Sequence, residues 1–194
     1  MYGIATIAVG EKSFLENKKC IESIKKHLPD IETVTITKNF SDTPMITSRT
    51  IKTDLINYIP LHWQYCIYLD SDTRVMSSDL LKIFDILQSG YDLCICPSTS
   101  QDFWHIDEKE RTETFNNLEY QPLQLQGGVF GFSVNDKIRE FFKYFSNTFM
   151  LYSNQDQAAL VRAIHHLPVK YWLMSNSFNG YNGSVVKHLF GNTR

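Results

Sequence analysis

Residues 64–75 read Gln64-Tyr65-Cys66-Ile67-Tyr68-Leu69-Asp70-Ser71-Asp72-Thr73-Arg74-Val75. The apolar run from Tyr65 to Leu69 suits a strand buried on both faces. Such a strand delivers the residues after it to the C-terminal edge of a parallel sheet, where open α/β proteins bind ligands. The residues delivered here are a pair of carboxylates separated by one serine. Asp70 and Asp72 would repel each other at that edge unless a cation sat between them. Hard oxygen donors with a gap left for phosphate oxygens suit Mg²⁺ or Mn²⁺ rather than zinc. Taken alone, the pattern equally fits a turn begun by Asp70 and a helix capped by Asp72.

Working back from the acids, Tyr2 to Val9 reads as a first strand, and Gly10 permits a tight exit from it. Phe14 to Leu28 comes next with helical spacing, placing Cys20, Ile21, Ile24 and Leu28 on one face and Pro29 as the stop. The β-branched stretch Ile31 to Thr37 favours a strand, and Ser48 to Tyr58 a helix closed by Pro60. Strand, helix, strand, helix, strand is the signature of a doubly wound α/β sheet.

Working forward, Ser77 or Ser78 can cap a helix to about Leu87 that Gly90 ends, and Tyr91 to Cys96 reads as a buried strand. Ser98 to Pro122 is polar, carries Trp104 and His105, and has weak periodicity, so it reads as a functional excursion or an irregular connection. Leu123 to Val134 returns to strand character, interrupted by Gly127-Gly128. Helices over Asp136 to Phe145 and Gln155 to His165 and a short strand over Val169 to Met174 complete the pattern. At 194 residues, with neither internal repeat nor low-complexity linker, the chain reads as a single domain spanning 1–194.

A net charge of -2 argues against a broad electrostatic grip on nucleic acid or anionic membrane and leaves room for a compact phosphate ligand. Lys12, Lys18, Lys19, Lys25 and Lys26 fall at helical spacing around an apolar stripe and read as a solvated face. Met1 to Val9 lacks the basic start of a leader, and no stretch is long enough to span a bilayer. Cys20, Cys66, Cys94 and Cys96 lie in helix and strand interiors rather than at disulfide-framework spacings, so the expected setting is reducing and cytoplasmic. A thiolate site built from Cys66, Cys94 and Cys96 is conceivable, although no Cys-x-x-Cys pair is present.

Three further segments carry chemistry. Gly127 and Gly128, in Leu125-Gln126-Gly127-Gly128-Val129, weaken a strand, which is tolerated for a bulge or for close approach of a ligand to the backbone. Asn154-Gln155-Asp156-Gln157 opens a helix, where Asp156 serves as a first-turn acid or faces a substrate together with Gln157. His188, in Val185-Val186-Lys187-His188-Leu189-Phe190-Gly191, can complete a metal's coordination as a neutral imidazole or simply fill space.

The order Tyr-Leu-Asp-Ser-Asp-Thr, Gln-Gly-Gly-Val-Phe-Gly, Asp-Gln, His-x-x-Gly resembles the glycosyltransferases of the GT-A fold, most closely the glycogenin and lipopolysaccharide galactosyltransferase group. The resemblance runs from Ile4 to Gly191 and implies a mostly parallel mixed sheet flanked by helices. It also implies a metal-dependent transfer of a sugar, of the hexosyl type, from a nucleoside diphosphate sugar to a hydroxyl acceptor, with retention of configuration. By that resemblance Asp70, Asp72 and His188 hold Mn²⁺ or Mg²⁺. Val9, Arg49, Lys52, Asp70, Ser71, Asp72, Gln126, Gly127 and Gly128 meet the nucleotide sugar, with Arg49 and Lys52 as alternative contacts to sugar or phosphates. Asp156 and Gln157 lie at the reacting sugar, and Val185 to Gly191 folds over the diphosphate.

The chain departs from the family after His188-Leu189-Phe190-Gly191, where Asn192-Thr193-Arg194 stands in place of the usual Lys-Pro-Trp. Lys187, Arg194 or Lys52 would have to supply the missing cation. The alternatives are a non-catalytic module that keeps the nucleotide-sugar pocket, and a sugar nucleotidyltransferase, for which Val9-Gly10-Glu11-Lys12 is a poor match to the usual Gly-rich basic loop.

Overall fold

Strands and helices alternate along the chain, and the computed structural model describes residues 1–41, 43–101 and 106–191. The strands are β1 (Tyr2–Ile7), β2 (Glu32–Ile36), β3 (Tyr65–Leu69), β4 (Thr73–Val75), β5 (Leu93–Pro97), β6 (Leu125–Ser133), β7 (Tyr171–Leu173) and β8 (Val186–His188). The α-helices are α1 (Glu11–His27), α2 (Pro44–Thr53), α3 (Lys82–Gln88), α4 (Glu108–Leu118), α5 (Asp136–Met150) and α6 (Asp156–His166). Six strands form one sheet in the order β2-β1-β3-β6-β5-β7, and β4 pairs with β8 in a separate ribbon. Only β6 runs against the rest, so the sheet is mainly parallel.

Alternation along the central strands divides the core in two. Ile67 and Leu69 of β3 join Ile4, Cys20, Ile24 and Ile83 under α1 and α3. Cys66 and Tyr68 point the other way, among Ile51, Phe130, Phe132, Phe142 and Leu160 under α2, α5 and α6. Every residue of β6 is buried, as a strand covered on both faces requires. No helix among the described residues is long and apolar enough to cross a membrane.

Several expectations are corrected. The helix expected from Phe14 begins at Glu11, and the one expected from Ser48 begins at Pro44, where the fixed φ of proline suits a helix's first turn. That second helix ends at Thr53, leaving only a short 3-10 turn over Leu55–Asn57. The polar segment 98–122 holds a regular helix, α4. The Asp107 carboxylate caps it by accepting from the Lys109 and Glu110 N–H groups. Its buried positions, Glu110 and Thr114, are polar, which hides the helical period, and both accept hydrogen bonds from Arg162 of α6. Trp104 and His105 lie outside the described residues, as does Arg194.

The imagined thiolate site is absent, because Cys66 lies on the opposite sheet face from Cys94 and Cys96. Burial also pushes the Cys94 and Cys96 thiols up to about 12, so they stay protonated. The lysines of α1 are exposed, as a solvated face requires.

Candidate functional site

The acidic turn after β3, the start of β6, the N-terminal turn of α6 and the end of β8 line one cavity of about 660 Å³. Asp70 is held there through its backbone: its N–H donates to the Gly128 carbonyl at 2.8 Å, and the Thr73 N–H closes a turn onto its own carbonyl at 3.0 Å. Its Oδ1 accepts from the Tyr68 hydroxyl at 2.6 Å and from Lys52 Nζ at 2.8 Å. Its Oδ2 lies 3.9 Å from His188 Nε2.

Asp72 is buried. The turn that carries it feeds β4, whose register sets Thr73 opposite His188. The ribbon thereby brings together residues 116 positions apart, with His188 Nε2 at 3.1 Å from Asp72 Oδ1. The Gly191 N–H donates to Asp72 Oδ2 at 2.9 Å, and the Leu189 N–H to the Asp72 carbonyl at 3.0 Å. Burial pushes the Asp72 carboxyl up, but the hydrogen bond and charge of His188 and the Gly191 N–H outweigh it and hold the group below its ordinary value. Asp70, Asp72 and His188 each offer a ligand atom within 4.8 Å of the others.

Gly128 makes this approach feasible. A Cβ there would stand 2.2 Å from His188 Cε1 and 3.0 Å from Asp70 Oδ2, so only glycine leaves room for the imidazole. Gly127 faces the other group, with its Cβ position 3.4 Å from Asp156 Oδ2. The bulge reading of the glycine pair holds, and the group that comes close to Gly128 here is the His188 ring. The strand continues through them, while its register against β5 slips between Ile95 and Cys96.

Asp156 is the first residue of α6. Its Oδ2 lies 3.0 Å from Lys52 Nζ and its Oδ1 3.7 Å from Arg49 Nε. Burial alone would push its carboxyl up, yet the charges of Lys52 and Arg49 hold it below the ordinary value. For Lys52, burial opposes the charge, and Asp156 and Asp70 more than restore it, so the ammonium is held above its usual range. Of the two basic candidates, Lys52 therefore bridges both acids, while Arg49 pairs with Asp156 and donates to the Asn154 carbonyl. Gln157 lines the cavity and anchors its amide nitrogen on the Leu125 carbonyl at 3.2 Å. Val9 and Gln126 also line it, and the buried Gln126 Oε1 has no hydrogen-bond partner among the described residues. The Ser71 hydroxyl turns to the Ile7 carbonyl and contacts Ser13 Oγ at 3.2 Å. Lys187 is directed onto the Tyr181 ring and does not line the cavity, which corrects its place among the stand-in cations.

The donor set fits a divalent ion that accepts both carboxylate and imidazole, as Mn²⁺ does. Charge favours the same conclusion. Asp70, Asp72 and Asp156 face Lys52 and Arg49, so the acids of the cavity outnumber the bases that pair with them. A diphosphate would be repelled from it without a cation.

No protein-family model and no curated protein matches the chain. Solved structures do match it. Mouse xyloside xylosyltransferase 1 in its apo form superposes with a TM-score of 0.63 over 100% of this chain and 99% of that one, at 8% identity. Galactosyltransferase LgtC in complex with donor and acceptor sugar analogs gives 0.67 over 98% of this chain and 87% of its own, at 15% identity. The bifunctional glycosyltransferase WbbM gives 0.71 over 98% of this chain and 46% of its own, at 10% identity. The chain has the GT-A glycosyltransferase fold. At these identities the likeness is one of fold, and the chemistry of this GT-A site must be argued from its own side chains.

Three residues of the GT-A site escape a reading by motif. Tyr68 reads as strand filler, yet its hydroxyl binds Asp70. Asn179, which belongs to no motif singled out from the sequence, is buried and accepts from His188 Nδ1 at 2.7 Å. Phe190 stacks on the His188 ring with centroids 4.0 Å apart. The alternation of Tyr68 with Asp70 along an extended chain was the one signal available for any of them.

Proposed function

We propose that the protein is a metal-dependent glycosyltransferase that moves a sugar from a nucleoside diphosphate sugar to a hydroxyl acceptor with retention of configuration. The observation that carries this reading is the convergence of Asp70, Asp72 and His188 on one cavity with Asp156 and Gln157. Asp70, Asp72 and His188 hold Mn²⁺ or Mg²⁺. The ion supplies the positive charge that offsets the charge growing on the departing diphosphate.

The chain's own groups account for the rest. Tyr68 and Lys52 occupy Asp70 Oδ1, which holds the carboxylate in one orientation. Lys52 and Arg49 keep Asp156 ionised, and an ionised carboxylate accepts hydrogen bonds from sugar hydroxyls and orients the ring. Gln157, fixed against β6, lies beneath the sugar as its anomeric carbon becomes oxocarbenium-like; neither it nor Asp156 acts as a nucleophile. Val9, Ser71, Gln126, Gly127 and Gly128 form the walls along the nucleotide sugar, and 185–191 closes over the diphosphate. The unit that does this is a single domain.

A panel of nucleotide sugars tested by thermal shift with and without Mn²⁺ identifies the donor, because binding raises stability with the logarithm of ligand concentration over affinity. With the donor in hand, Gln157→Ala leaves its affinity within about threefold while slowing transfer or donor hydrolysis by about 10²-fold or more. Normal turnover in that variant would reduce Gln157 to a helix-start residue.

A further inference from the structure

His188 has two ring nitrogens, and a metal takes only a bare one, so something must decide which nitrogen carries the proton. Nε2 faces Asp72 Oδ1 at 3.1 Å and Asp70 Oδ2 at 3.9 Å. Nδ1 faces Asn179 Oδ1 at 2.7 Å. Asn179 is fully buried, and its own Nδ2 has no hydrogen-bond partner among the described residues. An amide oxygen can only accept, so this orientation puts the proton on Nδ1 and turns the Nε2 side of the ring to the two carboxylates.

The amide is held in place by backbone. Asn179 ends a short 3-10 turn, its N–H donating to the Asn176 carbonyl at 3.3 Å, and the next residue, Gly180, accepts from the His188 N–H at 2.9 Å. A Cβ at Gly180 would lie 2.5 Å from the Asn176 carbonyl oxygen, so the turn closes this tightly only with glycine. Phe190 covers the imidazole, its ring stacked on it.

We propose that Asn179 is the positioning residue of the cation site. It accepts a hydrogen bond from the Nδ1–H of His188 and so presents Nε2 toward Asp70 and Asp72. The proposal rests on the reading that Asp70, Asp72 and His188 hold a divalent cation.

The test titrates Mn²⁺ alone into the protein, monitoring the signal of the free ion by electron paramagnetic resonance. Asn179→Leu, which keeps the bulk and removes the acceptor, weakens Mn²⁺ binding by about 10- to 100-fold. Asn179→Asp, which keeps the acceptor, binds at least as tightly as the unsubstituted protein. In a His188→Ala background the Asn179→Leu change weakens Mn²⁺ binding no further, because the group it positions is gone. A merely structural role for Asn179 would lower affinity equally in both backgrounds, and that result overturns the proposal. So does an Asn179→Leu protein that binds Mn²⁺ within about threefold of the original. If Asn179→Leu does not fold, Asn179→Asp decides alone, and a tenfold loss there is the overturning result. Failure of the unsubstituted protein to bind Mn²⁺ at all rejects the metal reading itself, a different outcome from binding that ignores Asn179.

Discussion

Gly128 and Asp72 affect the same site through different physics. Gly128→Ala places a carbon where His188 Cε1 now lies within 2.2 Å, and the imidazole must leave. Asp72→Asn keeps the shape of the side chain and removes its charge. Both variants lose Mn²⁺ affinity, by about tenfold or more. Their stabilities diverge, because Gly128 lies in a fully buried strand where overpacking costs about 1–3 kcal/mol. Mn²⁺ titration beside denaturant unfolding of each variant checks this. A Gly128→Ala protein of unchanged Mn²⁺ affinity would mean that His188 is not a ligand. At this scale the motif was legible but its reason was not: Gln126-Gly127-Gly128 reads as a weakened strand, and only the folded chain shows that the missing side chain is the space His188 occupies.

Among the elements, Asp92 joins the far edge of the sheet. Its carbonyl accepts from the Ser133 N–H of β6 at 3.0 Å. Its carboxylate accepts from Lys137 Nζ of α5 at 2.9 Å and from the Lys170 N–H, just before β7, at 2.8 Å. Burial raises this carboxyl's affinity for its proton. The Lys137 and Lys170 hydrogen bonds outweigh that and hold it below its ordinary value. The folded protein thus binds this proton less tightly than the unfolded chain. The contribution to stability is complete above the ordinary carboxylate pKa of about 3.9, and it is lost as pH falls through the lower folded value. Asp92→Asn therefore costs about 1–3 kcal/mol at neutral pH, and the gap to the original protein narrows in acid. Urea unfolding across pH measures both, and a gap that does not change with pH would exclude the carboxylate's charge as its source. The polar helix α4 shows the opposite limit of legibility. Glu110 is buried because Arg162, 52 residues away, lies beneath it, a pairing that helical periodicity cannot express.

For the molecule as a whole, the last described strand is a structural part as well as a ligand carrier. Val185 and Val186 are buried in the same cluster as Ile67, Leu69 and Val75, and β8 covers β4. A chain ended after Ser184 should therefore lose more than His188→Ala does. Each buried valine contributes about 1.5–3 kcal/mol. The truncated protein unfolds at a clearly lower temperature than His188→Ala, and both bind Mn²⁺ weakly. Calorimetry on the two variants checks the difference, and equal melting temperatures would show that β8 adds nothing to the core.

The succession of strands and helices, the buried central strand and the acids at its end were all readable from order and periodicity, because apolar spacing and turn residues act over a few neighbouring positions. The mainly parallel sheet came from that alternation. What the tertiary structure alone decided were other contacts across long separations: Asn179 behind His188, Lys52 between Asp70 and Asp156, and Cys66 on the far face from Cys94 and Cys96. These depend on strand register and on which face each residue presents, and a one-residue shift would reverse them, so they are properties of the packed chain and not of any segment within it.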